Sequence, residues 1–193
     1  LHVKGSRLRE NTAEFDGGAI CTRENAVVDL EQTVFERNLA KTGGAIYVDT
    51  QGSVRRSDEC VFRDNFAHMF GGAVVLTLST DMTVTRSTFW GNKANDDGGA
   101  IFTSDSKLVV VDTQFHYNAV KSRHGGAVLA ERGTVASFDS CEFKGNVVRD
   151  AGGGGALAIR SPTYRRMRRE AMGTKSQIAM ARCLPMTTCL ISS

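Results

Sequence analysis

The side chains that could carry chemistry in this 193-residue chain are few and spread out. Glu31 and Asp58 come nearest to a working carboxylate pair. A glycan-cleaving lyase or hydrolase needs two or more acids converging on one exposed strand, with Ca²⁺ or a general acid as partner. These two fall at equivalent positions of neighbouring copies of a sequence repeat. Asp49 and Glu131 share another such position, but three copies apart, which strand spacing converts to roughly 14 Å, too wide for a shared ion. Asp96-Asp97, just before Gly98, suggests Ca²⁺, yet two vicinal carboxylates fall short of the six to eight oxygens that ion takes, and the stretch reads as a polar turn. His116 and His124 flank one turn with no third ligand in the pattern. No Ser-His-Asp or Cys-His set can be assembled from equivalent positions. The sequence therefore assigns no catalytic, cofactor-binding or metal-ligating residue, and implies no cofactor.

Five cysteines make an odd set. Cys60 and Cys141 occupy the same repeat position three copies apart, too distant to bridge. Cys21 sits at a different position, and Cys183 and Cys189 are close enough in sequence to pair. This is not the cysteine pattern of a disulfide scaffold.

What must position these residues is the repeat itself. Gly-Gly-Ala followed by an aliphatic residue begins at Gly17, Gly43, Gly71, Gly98, Gly125 and Gly154. Phe-x-x-Asn begins at Phe35, Phe62, Phe89, Phe115 and Phe143, with Leu8-x-x-Asn11 as a weaker copy. Two independent landmarks sharing a period of about 27 residues define an internal repeat. The runs between them, such as Ala-Ile-Tyr-Val and Leu-Val-Val-Val, are short, β-branched and bounded by Gly, Asn, Asp and Ser, while no segment holds a 3.6-residue apolar period. The reading is an all-β chain: a right-handed parallel β-helix of about six coils, one coil per repeat, over residues 1–161. Leu1, Val3, Ser6 and Leu8 hold the positions later held by Val28, Leu30, Thr33 and Phe35, so the chain is expected to be a piece of something longer.

Stacked coils turn repeat positions into columns. Phe35, Phe62, Phe89, Phe115 and Phe143 should form an internal core stack. Asn11, Asn38, Asn65, Asn92, Asn118 and Asn146 should form a structural ladder, because Asn tolerates left-handed backbone and its amide can bond both turn backbone and its own kind. Two residues before the Phe, Ser6, Thr33, Cys60, Ser87, Thr113 and Cys141 are uniformly small. Beyond Gly-Gly-Ala, Ile20, Ile46, Val74, Ile101, Val128 and Leu157 form an aliphatic column. One residue further on, Tyr47, Val75, Phe102 and Leu129, with Cys21 and Ala158 at the ends, should face outward as an apolar contact stripe for a partner or a second copy, unless a bend or a loop covers it. Charges support this register: Arg9, Glu36 and Arg63 alternate in sign, as do Glu10, Arg37 and Asp64, which places opposite charges side by side.

The net charge of +3 misleads. Residues 162–193 hold six basic residues against one acidic, leaving residues 1–161 at −2. The body therefore gives no reason to expect nucleic acid as a partner. The basic tail lacks the period and is expected to be disordered or a short helix, with Tyr164, Met167 and Ala171 on one face, suited to capping the open coil end or touching anionic lipid. No apolar run is long enough for a transmembrane helix.

At Phe-x-x-Asn and Gly-Gly-Ala-Ile/Leu/Val, residues 1–161 resemble the repeats of the polymorphic outer membrane proteins, first described in chlamydiae, and the wider pectin-lyase-like β-helix proteins. That resemblance implies an extracellular, cell-surface β-helix acting in adhesion or as a stalk, without catalysis, with a cell-surface protein or glycan as partner. The alternative is a carbohydrate-active β-helix, a polysaccharide lyase or glycoside hydrolase, whose site is incomplete in this stretch.

Overall fold

The computed structural model describes residues 1–150 and 152–160. All their regular structure is β, in parallel sheets of six, six, five and six strands, each running along the solenoid axis. One coil shows the plan. Val27–Glu31 lies on the first face, Val34–Glu36 on the second, Leu39–Ala40 on the third and Ile46–Val48 on the fourth. Each strand then pairs in register with its counterpart one repeat on, as Phe35 with Phe62 and Ile46 with Val74. This is the right-handed parallel β-helix expected from the period. The expectations for residues 162–193, including Cys183 and Cys189, lie outside the described residues.

The coil closes because four corners adopt left-handed backbone, one of them, between the fourth face and the first, through residues such as Thr50 and Gln51 (φ +50° and +60°). The first Gly of each Gly-Gly pair is a second, at φ +61° for Gly43. Its neighbour Gly44 is required for another reason: a Cβ there would stand 2.2 Å from the Gly72 carbonyl oxygen of the next coil. The other two corners precede the small and Asn columns, and here the sequence gives little warning. Gln32, Glu59, Arg86, Asp112 and Ser140 sit at φ +45° to +51°, and Glu10, Arg37, Asp64 and Tyr117 at +52° to +56°. Such backbone costs a non-glycine residue about 1–2 kcal/mol, so the stacking must repay it repeatedly.

That repayment is visible in the bore. Phe35, Phe62, Phe89, Phe115 and Phe143 stack with centroids 4.5–4.8 Å apart and planes within 7° of parallel. The interval matches the strand spacing, so register alone sets the pile. Four of the five are fully buried, worth about 2–3 kcal/mol each. Beside them runs the Asn ladder. Asn38 donates from its side chain to Asn65 Oδ1 (2.9 Å) and to the Leu8 carbonyl (3.0 Å), while its backbone N–H also reaches Asn65 Oδ1 (3.0 Å). The same pattern repeats to Asn146, with every amide dipole pointing the same way.

The small column proves to be a second polar ladder. Ser6, Thr33, Ser87 and Thr113 donate their hydroxyls to the carbonyl two residues back, at 2.7–2.9 Å. The thiols of Cys60 and Cys141 take the same place at 3.3 and 3.2 Å. Hydroxyls here tie down the corner before them. Departures from the 27-residue period are absorbed locally. Arg55 forms a bulge against both neighbouring strands, and its Nε donates to Asp29 Oδ1 at 3.0 Å.

Candidate functional site

Three columns on the fourth face enclose a cleft running along the axis. The near wall is the residue before each Gly-Gly pair: Asp16, Thr42, Phe70, Asp97 and His124, with parallel bridges from Asp16 to Thr42 and from Phe70 through Asp97 to His124. The floor is Cys21, Tyr47, Val75, Phe102, Leu129 and Ala158, and the far wall Asp49, Thr77, Ser104, Glu131 and Arg160. Strand alternation sets floor apart from bore: Ile46 points into the core, Tyr47 out of it. The cleft is open, about 500 Å³ in volume, and its lining runs from Thr42 and Tyr47 to Glu131 and Arg160, with Arg123 and Arg132 added.

The floor corrects the expectation of an exposed contact stripe. Tyr47, Val75, Phe102 and Leu129 do lie outside the bore, but Val75 is 1% exposed and Leu129 0%, and Phe102 is also buried. They form a separate small core with Ala158. Phe70 covers part of it from the near wall, its ring stacked on Phe102 with centroids 5.0 Å apart. Only Tyr47 stays half-exposed, and burial pushes its phenol up. The physical reason is the wall height: the Gly-Gly turns raise long side chains beside the stripe, which simple alternation does not register.

What the cleft presents is charge. Near its start Arg23 pairs with Asp16 at 2.9 Å. Toward its other end Asp97, 3% exposed, accepts from the His124 backbone N–H (2.9 Å) and from Arg123 (3.3 Å). Burial still pushes the Asp97 carboxyl above its ordinary value, against the pull of Arg123. Glu131 is approached by Arg132 at 3.6 Å and Arg160 at 3.8 Å.

The other residues singled out from sequence are placed elsewhere. Glu31 and Asp58 are paired across adjacent strands of the first face, as their spacing requires. Each is taken up by cations rather than poised against the other. Lys4 donates to Glu31 at 2.9 Å and holds its carboxyl low. Burial raises Asp58, but hydrogen bonds from Thr85 and Arg56 and the charge of Arg86 outweigh it, so the net shift is downward. Two carboxylates held ionised do not share a proton, as an acid–base pair does. Asp96 and Asp97 part company, since Asp97 turns to the near wall. His124 Nδ1 accepts from the Gly153 N–H at 3.1 Å, whereas His116 lies on the second face with Nε2 3.2 Å from Glu142 Oε2. Among the described residues no three His, Cys, Asp or Glu side chains converge as a metal site would need. Cys21, Cys60 and Cys141 are free thiols.

Two features went unread in the sequence. Trp90 and Tyr117, half-exposed on the second face, meet edge to face at 4.8 Å, with His116 5.8 Å from Trp90. The signal was available: Trp90 and His116 follow Phe89 and Phe115 at the same repeat position. The gathering of Arg123, Arg132 and Arg160 at one end of the cleft was also unread, because Arg123 and Arg132 lie in turns outside the repeat columns.

Compared with known protein families, residues 1–164 match the model of the right handed beta helix region. No curated protein and no solved structure matches the chain.

Proposed function

This chain belongs to the right-handed β-helix family, and from that premise we propose that it is a non-catalytic, surface-displayed repeat region, acting as a rigid stalk with an adhesive face. The observation that carries this reading is where the reactive side chains have gone. The Asn side chains bond the coils above and below, the hydroxyls and thiols of the small column are spent on the carbonyl two residues back, and the two carboxylates best spaced for catalysis are neutralised by Lys4, Arg56 and Arg86. A ladder that runs through every coil makes a stiff rod, and stiffness is what a stalk requires. The cleft on the fourth face is the adhesive surface in this account, meeting a cell-surface protein or glycan. Kinship with the polymorphic outer membrane proteins, and display outside the cell, belong to the same proposal.

The test is twofold. Purified chain is assayed for turnover of polyuronates, with Glu31→Ala and Asp58→Ala as controls, and for saturable binding to intact cells. The reading expects no turnover, and cell binding that is lost when Tyr47 and Thr77 are both changed to Arg. Turnover abolished by either Ala variant would establish the carbohydrate-active alternative instead.

A further inference from the structure

We propose that the end of the cleft formed by Arg123, Arg132 and Arg160 is a binding site for an oxyanion group, sulfate or carboxylate. The three guanidinium groups come from two successive coils and line one open cleft. Their side chains are 52%, 67% and 49% exposed, so each keeps its face to solvent. A guanidinium offers five N–H donors in a planar fork that matches the oxygens of such groups. Among the described residues, little uses those donors. Arg132 and Arg160 stand 3.6 and 3.8 Å from Glu131, beyond hydrogen-bond range, and Arg123 reaches Asp97 only at 3.3 Å. Asp97 is itself turned inward to the His124 backbone. Three cations thus face two carboxylates, one of them buried, with the hydroxyl of Ser104 on the same wall. An incoming oxyanion gains charge-assisted bonds that Glu131 makes poorly.

An anion held here is compatible with a stalk and with an adhesive face, so loss of either reading leaves the other standing. The experiment uses the full chain, ¹⁵N-labelled, and follows the arginine side-chain Nε–Hε resonances. It is titrated with sodium sulfate, sodium acetate and a sulfated disaccharide, each against sodium chloride at matched ionic strength. Saturable shifts are expected for Arg123, Arg132 and Arg160 and not for Arg55 on the first face. Arg160→Gln should weaken binding about tenfold, and Glu131→Gln, which removes the competing carboxylate, should strengthen it by about three- to tenfold. That gain is a result that mere damage to the fold cannot produce. Tighter binding of the disaccharide than of free sulfate assigns the anion to a glycan, and the reverse assigns it to a free ion. The proposal is overturned if no probe saturates, if all arginines shift as they do in chloride, or if neither variant changes the affinity.

Discussion

Replacing Asn65 with Ala should cost far more than replacing Asn11, although both are the same residue in the same column. Asn65 is buried in mid-ladder, and its amide makes four hydrogen bonds. Its Oδ1 accepts from the Asn38 backbone N–H (3.0 Å) and Asn38 Nδ2 (2.9 Å), while its Nδ2 donates to Asn92 Oδ1 (2.9 Å) and the Phe35 carbonyl (3.0 Å). Truncation leaves two donors on Asn38 without that partner and removes one bond to a strand carbonyl. Unsatisfied buried groups cost about 1–3 kcal/mol each, so the total should be about 4 kcal/mol, a large share of a typical 5–15 kcal/mol stability. Asn11 is exposed and only donates, at 2.9 Å from its side chain to Asn38 Oδ1, so its loss should cost about 1 kcal/mol or less. Urea unfolding followed by the single tryptophan, Trp90, measures both, with amide exchange as a check because long repeats can unfold in parts. Asn65→Asp adds a control of different character. The carboxylate keeps both acceptors, loses both donors and faces the Phe35 carbonyl and Asn92 Oδ1, so its folded pKa must rise. Its stability deficit should therefore be greatest at neutral pH and shrink as pH falls through that raised value. Equal costs for Asn65→Ala and Asn11→Ala, within about 0.5 kcal/mol, would refute the reasoning.

Other substitutions probe the corners and the charges. Gly99→Ala would set a Cβ 2.0 Å from the Gly126 carbonyl and should prevent folding to a soluble protein, whereas Gly5→Ala, with nothing within 4 Å but φ +57°, should cost about 1 kcal/mol; expression followed by thermal unfolding distinguishes them. At Asp112, φ +49°, a change to Gly should be neutral or stabilising by up to about 1 kcal/mol, while Val should destabilise by more than about 1 kcal/mol in urea titrations. Asp58 and Asp97 should respond to pH in opposite senses. Asp58 has a depressed folded pKa, so its contribution is present above 3.8 and is lost as pH falls through the folded value; Asp58→Asn should be destabilising at pH 7 and progressively less so as pH falls below 3.8. The folded pKa of Asp97 is raised, so stability falls as pH rises from 3.8 through that value; Asp97→Asn should remove this slope and leave the protein at least as stable at pH 7, measured by melting across pH.

Much of this architecture was legible because the columns repeat one residue type. Phe at five coils and Asn at six announce both the register and the burial, since only stacked equivalents explain the shared period. The left-handed corners were not legible. Gln32, Glu59, Arg86 and Asp112 are chemically ordinary, and their only common mark is that none is β-branched, a weak sign until the φ angles are known. The small column was recognised for its size, but its hydroxyl ladder depends on the corner it follows and so emerged only with the backbone. The stripe of Tyr47, Val75, Phe102 and Leu129 was placed on the correct side of the strand, and of the two readings left open for it, exposed or covered, the covered one holds. Alternation reports direction, whereas cover comes from Phe70 and the walls raised by neighbouring turns. The arginine cluster was hidden for a similar reason: Arg123 and Arg132 lie in turns, where the period fixes position less tightly than in strands.

The central claim is that equivalent residues of successive coils bond directly to each other along the axis. It is tested most directly by scalar couplings transmitted through hydrogen bonds in a deuterated, ¹³C,¹⁵N-labelled sample. The ladder predicts couplings from the Asn38 backbone nitrogen to the side-chain carbonyl carbon of Asn65, and from Asn65 to that of Asn92, at N···O separations of 3.0 and 3.1 Å. Slow amide exchange at Asn38 and Asn65 should accompany them. If these amides exchange as freely as an unfolded chain, or couple to residues at any other position of the repeat, the stacked-coil account is wrong.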